Sequence, residues 1–261
     1  MYRFLASPRW LGYAALTLAA ATVMVLLGLW QLDRYHQRAS INARITAGTS
    51  ATPVPLTDVA PRPTGAPGTV APAPADDTDW LRVQVTGRFD PSREILVRGR
   101  TVEGRVGFEV LTPLVLPDGT AVLVDRGWVA PAESGALAMP TVPAAPPGEQ
   151  TILGRLRPSE SRGGPPAAVN GRLEIRRITP SAIAPAMPYA IYDAYVSTDR
   201  PAPGLTAVTP EKQNALQNAG YVLQWWLLAA LTLYGFAYLA RKEARGPEPE
   251  DLLDEFHDTP A

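Results

Sequence analysis

The 261-residue chain contains no cysteine. Disulfides, thiolate metal sites, lipoprotein anchoring and covalent c-type heme attachment all need that thiol, so all are excluded. Histidine occurs only at His36 and His257, outside the part that reads as a folded domain. A serine hydrolase of the usual kind needs a histidine base, and none is at hand. Gly-x-Ser-x-Gly, Walker, His-Glu-x-x-His and Cys–His patterns are likewise missing. The sequence therefore reads as non-enzymatic, with no catalytic residue and no metal site. Carboxylates such as Glu94, Glu103, Glu109 and Asp125 read as charges paired with arginines. A formal net charge of -1 removes the basic face that nucleic-acid binding requires. Only two lysines, Lys212 and Lys242, stand against 22 arginines, and with the abundant Ala, Pro and Gly this usage suggests a high-GC bacterium.

What the chain does have is two long runs without a charge, residues 10–32 and 213–240. A helix rises about 1.5 Å per residue, so roughly 20 apolar residues cross the ~30 Å hydrocarbon core of a bilayer. Trp10, Tyr13 and Trp30 bracket the first run, and Tyr221, Trp225, Trp226, Tyr234 and Tyr238 cluster toward the ends of the second, as interfacial anchors do. The first run is too long for a signal-peptide core, and Trp30-Gln31-Leu32-Asp33-Arg34 is a poor cleavage junction, so it reads as a retained anchor. Arg3 and Arg9 precede it, while Arg241, Lys242 and Arg245 follow the second run. The positive-inside bias then places both termini in the cytoplasm of a bacterial plasma membrane and the main domain outside.

Between the runs the first helix is expected to continue over 33–48. Seven prolines among Ala, Gly and Thr make 49–79 a linker or extended loop, with too little apolar surface to offset ordering entropy. Further loops fall at 131–148 and around Gly163-Gly164-Pro165-Pro166. Strands are expected at 81–85, 95–97, 106–116, 121–129, 152–156, 173–178 and 190–196 from their short apolar or alternating runs. Pro117-Asp118-Gly119 is a hairpin turn, and 180–186 one short helical turn. Thr209-Pro210-Glu211 signals a helix start leading into the second span. The fold class is thus a membrane protein with two transmembrane helices flanking a β-rich (α+β) antiparallel, barrel-like extracytoplasmic domain. Its parts are a cytoplasmic start (1–9), span one (10–32), a helix extension (33–48), a linker (49–79), the β domain (80–208), a juxtamembrane segment with span two (209–240) and an acidic cytoplasmic tail (241–261).

Three short constellations stand out. In Gly28-Leu29-Trp30-Gln31-Leu32-Asp33-Arg34, Gln31 and Arg34 lie about one turn apart and so on one face. In Tyr221-Val222-Leu223-Gln224-Trp225-Trp226, a glutamine sits inside an apolar helix, where lipid cannot satisfy its amide. Gln31 and Gln224 could bond each other, a partner subunit, or water. In Leu123-Val124-Asp125-Arg126-Gly127-Trp128-Val129, simple alternation puts Val122, Val124, Arg126 and Trp128 on one strand face. Arg126 there needs a partner, either within the barrel (Glu94 or Glu109) or on another protein.

These segments, together with Val85-x-Gly87-x-Phe89-Asp90 and the run from Gly107 through Phe108-Glu109-Val110-Leu111-Thr112-Pro113 to Leu114, occur in an order that resembles the Surfeit locus protein family of cytochrome c oxidase assembly factors. The resemblance covers about residues 10–240, apart from the proline-rich insert. It implies a biogenesis factor for a heme-copper oxidase, acting at maturation of the catalytic subunit that bears a-type heme. A stably bound accessory subunit of the oxidase or supercomplex is the alternative, and a membrane-anchored enzyme a third. It implies oxidase catalytic subunits and membrane lipid as partners, with Trp30, Gln31, Arg34, Tyr221, Gln224 and Trp225 as partner-binding residues. Arg126 and Trp128 have a structural or partner role. Family members commonly carry a histidine, a proposed heme ligand, three residues before the tyrosine that opens span two. This chain has Asn218 there, and an amide is a poor axial ligand. Arg34, through its fork for carboxylates, and His36, as either a substitute ligand or a solvent-facing side chain, are the remaining candidates for contact with a-type heme.

Overall fold

A computed structural model describes residues 3–245 except 134, 136, 137, 170, 210 and 211. The acidic tail beyond 245, with Leu252, Leu253 and Phe256, lies outside the described residues. The chain divides into two compact units, one drawn from Met1–Asn42 and Lys212–Ala261, the other from Ala43–Glu211.

The first unit is a pair of helices, each long and apolar enough to cross a membrane. Helix α1 (Pro8–Ser50) runs unbroken past the apolar run, since no Gly or Pro pair interrupts it. Little of either helix is buried within the chain. Leu16 and Leu223 are each 70% exposed, an arrangement water would penalise and hydrocarbon would not. The second long helix begins later than its sequence signal. Thr209 is not helical, and the helix starts at Ala215, where the Asn214 side chain accepts from the Gln217 N–H as an N-cap.

The second unit is a mixed sheet of nine strands. They are β1 (Val54–Pro55), β2 (Arg82–Phe89), β3 (Ile95–Val102), β4 (Arg105–Val115), β5 (Ala121–Val129), β6 (Glu149–Pro158), β7 (Ala167–Val169), β8 (Arg172–Ile175) and β9 (Ile191–Thr198). Helix α2 (Leu56–Val59) follows β1, α3 (Pro180–Ile183) precedes β9, and the long helix Ala215–Arg245 is α4. Strands run in the order β2-β6-β9-β5-β4, and β4 pairs back onto β2 through Arg88–Val115 and Phe89–Leu114, closing a barrel. Closure removes the exposed edges that a short open sheet would present. Strands β3, β8 and β7 extend the sheet beyond β4.

At the closure point a Cβ on Gly87 would collide with the Val115 carbonyl, so β2 and β4 approach only because that residue is glycine. Asp90, which ends the same motif, accepts from the Ser92 N–H and from the Tyr189 hydroxyl. The β1–β2, β3–β8 and β5–β9 pairings are parallel, whereas hairpin reasoning anticipates antiparallel neighbours. Strands β1 and β7 occur in proline-rich stretches read as loops.

Alternation on the central strands sorts the core. Val83, Val85, Leu114, Val122, Val124, Leu156, Tyr192 and Val196 fill the barrel. Ile95, Leu111, Leu123, Ile191 and Tyr195 face outward and are covered by Ile183 of α3 and Met187. Segment 51–79 is irregular, as its prolines require, yet it is not a solvated tether. Leu56 is 1% exposed and joins the barrel core with Ala60, and the Ala71 N–H donates to the Ile191 carbonyl. A few apolar anchors therefore suffice to hold a proline-rich strap.

Candidate functional site

The site-bearing helices pair through a seam visible in the spacing. Ala14, Thr17, Ala21, Met24, Gly28, Gln31, Tyr35, Arg38 and Asn42 recur at alternating intervals of three and four and are each at least half-buried. Met24, Gly28, Gln31, Arg38 and Asn42 meet α4 or the residues that lead into it. A repeat averaging 3.5 residues keeps one stripe of an α-helix against its neighbour, and small residues let the backbones approach. On α4 the matching buried residues are Asn218, Val222, Ala229 and Ala240. A Cβ on Gly28 would overlap the Trp226 indole, so this glycine gives the ring its place.

Polar contacts fix the register. Asn218 Nδ2 donates to Gln31 Oε1 at 2.7 Å. The Asn42 amide donates to the Gln213 carbonyl at 2.7 Å and accepts from the Gln213 N–H at 2.8 Å, while Arg38 donates to the Asn214 carbonyl. The glutamines at 31 and 224 are therefore not each other's partners. Gln31 belongs to Asn218, and Gln224 is exposed with no hydrogen-bond partner among the described residues. Neither Arg38 nor Asn42 looks unusual alone in the sequence; their positions seven and eleven residues after Gln31, on the same 3.5-residue repeat, were the available signal.

The same geometry divides the α1 motif. Gly28 and Gln31 serve helix pairing, whereas Trp30, 53% exposed, and Arg34 point away from the seam. Gln31 thus turns into the seam, while Arg34, about one turn on, lies at the exposed edge of that face. The Arg34 guanidinium lies 5.7 Å from the Trp30 ring and makes one long bond to Gln37. Tyr221 and Gln224, three residues apart on α4, are also exposed, and Trp225 is half-buried. His36 is exposed and lies edge-on to Tyr35. The carboxamide at 218, committed to Gln31, does not fit an axial iron ligand.

Within the β unit, Arg126 is 3% exposed and fully engaged. It pairs with Glu94 at 3.0 Å, one of the two partners anticipated, and donates to the Pro143 and Ala144 carbonyls. The second candidate, Glu109, contacts Arg100 instead, at 3.1 Å. A register shift puts one extra residue on β5 between Asp125 and Trp128. The bulge flips the alternation, so Trp128 falls on the side of Leu123 and Asp125, not that of Val124. The Trp128 indole donates to the Arg100 carbonyl. Arg126 thus ties the 131–148 loop to Glu94, and Trp128 ties β5 to β3.

Burial, with the neighbouring Asp125 charge, pushes the Glu109 carboxyl up to about 8 despite Arg100. Burial also raises Asp125, to about 6, against hydrogen bonds from Gly127 and Ser197. A raised carboxyl pKa means the folded chain holds protons that the unfolded chain releases. That stability is fully present below the ordinary carboxylate range and is lost as pH rises through about 8. Glu109→Gln should therefore flatten the fall in unfolding temperature between pH 6 and 9. At pH 9 the variant should unfold about 2–6 °C higher than the native chain. Arg100 would remain held by Glu160 at 2.8 Å. Identical pH profiles by thermal scanning would contradict the assignment.

The family model of the SURF1 family matches residues 18–230. An uncharacterized SURF1-like protein of Mycobacterium tuberculosis is 30% identical over 95% of this chain and 92% of its own length. A SURF1-like protein of Monosiga brevicollis is 30% identical over 86% of each chain. The cytochrome oxidase assembly protein Shy1 of Saccharomyces cerevisiae is 28% identical over 44% of this chain and 27% of its own length. The matched region runs from within α1, through the whole closed barrel, to within α4, and the chain belongs to the SURF1 family.

Proposed function

We propose that this chain is a non-enzymatic assembly factor for heme-copper cytochrome c oxidase, acting on the catalytic subunit that bears a-type heme while that subunit matures. Kinship with a protein named for cytochrome oxidase assembly supports the oxidase as client. The observation that carries the reading is Gln224. Its carboxamide lies on the exposed face of an apolar helix, without a partner in the described chain, beside Tyr221. In a bilayer such a group is satisfied by another protein's polar atoms or by boundary water. Trp30, Arg34, Tyr221 and Gln224 form the client-facing set, with Trp225 at its edge, while Gln31 supports it from the seam. Arg34 is suited to a carboxylate on the client because its fork is almost unused. Direct heme ligation is not part of the proposal, since the donor at 218 does not fit.

The enzymatic alternative finds little support. Glu94, Glu109 and Glu160 are each within ion-pair distance of an arginine. Two grooves on the β unit bring one carboxylate each among their described lining, Glu174 and Asp118. A stably bound accessory subunit would use the same exposed helix face. Purifying a tagged copy separates the two readings. An assembly factor should bring down catalytic subunit that lacks its full complement of partners, and only in minor amounts relative to mature oxidase. Stoichiometric recovery with the complete enzyme would favour the subunit reading, and absence of any oxidase subunit would contradict both.

The proposed orientation has both termini in the cytoplasm and the β unit outside the plasma membrane. Thr69 is exposed, and the chain has no native cysteine. Thr69→Cys should react with an impermeant thiol reagent in intact cells, and Thr259→Cys, outside the described residues, only after permeabilisation. The reverse pattern would invert the topology.

A further inference from the structure

We propose that the groove between the start of α1 and the end of α4 is a binding site for one anionic phospholipid. This rests on both helices spanning a membrane, and it is independent of the oxidase role. The groove has a volume of about 920 Å3, inside the range of ~300–1,000 Å3 typical of ligand sites. Its two ends differ chemically. Arg9 and Lys242 stand at one end, and Leu16, Thr17 and Thr232 line the other. Arg9 to Thr17 spans eight residues, about 12 Å along the helix, enough for much of an acyl chain.

The basic end is available to a ligand. Arg9 donates only through Nε, to the Tyr13 hydroxyl, and its terminal nitrogens have no partner among the described residues. Lys242 forms no ion pair among the described residues, and Glu243, which also lines the groove, acts on Arg9 only through the field, short of ion-pair contact. Two cations against one carboxylate leave a net positive mouth at the helix ends, the level where headgroups lie. Trp10 stands edge-on to Phe236 at 5.9 Å and to Tyr13 at 6.0 Å, building a rigid aromatic wall of the kind found at the headgroup boundary. A phosphodiester above an acyl chain matches both ends at once. A zwitterionic lipid would bring its own cation to an already positive mouth.

The test uses the full chain, delipidated in detergent, with phosphatidylglycerol or phosphatidylcholine of identical acyl chains added and retained lipid counted by native mass spectrometry. One phosphatidylglycerol should be retained at about 10-fold lower concentration than phosphatidylcholine. Arg9→Gln with Lys242→Gln should cut that preference to under about 2-fold, whereas Arg9→Lys with Lys242→Arg should keep it. Gly235→Trp, which fills the groove without touching a charge, should lose bound lipid of either kind. Equal retention of both lipids by the native chain would overturn the site, as would a preference surviving in the glutamine pair. Displacement of the lipid by a synthetic 246–261 peptide, but not by inorganic phosphate, would assign the groove to the acidic tail instead. Oxidase levels are not read, so the outcome leaves the client assignment untouched.

Discussion

Arg126→Gln should cost about 3–5 kcal/mol of stability, because it removes one partner of a buried ion pair and leaves the other charged. Glu94 would keep only Arg172, at 3.3 Å and itself 40% exposed, and a long bond from Thr112. The Pro143 and Ala144 carbonyls would lose their donor together. Those carbonyls tie the 131–148 loop to the barrel, and Met139 and Val142 of that loop cover Leu96, Phe108 and Val110. Loosening the loop therefore also exposes apolar surface. The expected result is a steep fall in membrane abundance and a lowered unfolding temperature of the purified chain. Arg126→Lys should recover part of the loss, since an ammonium keeps the charge but cannot fork between a carboxylate and two carbonyls. Native abundance and native unfolding temperature in Arg126→Gln would show that the arginine serves a partner and not the barrel.

How far the sequence could be read depended on the range of the forces involved. The apolar runs and the alternating strands are local patterns, and the long helices and strands such as Ala121–Val129 follow from them. The Pro117-Asp118-Gly119 turn is equally local. What local patterning could not show was chain path. Parallel pairing of β5 with β9 depends on a crossover, and strands β1 and β7 form only because a neighbouring strand edge is there to receive them. The bulge before Trp128 is a matter of register against β4, so alternation alone put that side chain on the wrong face.

The helix start moved for a similar reason. Asn42 grips the Gln213 backbone just before the helix begins at Ala215, a long-range clamp that the local Thr-Pro-Glu signal at 209–211 does not carry. In the candidate site, family motifs gathered the important residues but mixed two jobs. Only the packing separated Gly28 and Gln31, which hold the helices together, from Trp30, Arg34 and Gln224, which they present outward.

That separation yields the second large effect. Gln224→Leu combined with Trp30→Ala alters two exposed side chains and leaves the seam intact, so folding and abundance should be unchanged. If these residues engage the client, their loss removes a central aromatic anchor and a desolvated polar contact. Such residues typically carry 2 kcal/mol or more, roughly a 30-fold weakening. Gln31→Leu is the contrasting change. It strands the Asn218 amide in the seam and should reduce abundance first. The decisive measurement is a-type heme absorbance of membranes together with the amount of this chain in them, in a strain carrying only the Gln224→Leu/Trp30→Ala form. A severalfold loss of oxidase absorbance at undiminished chain abundance is the expected result. Undiminished oxidase absorbance at that same abundance would contradict the assignment of this helix face to the oxidase.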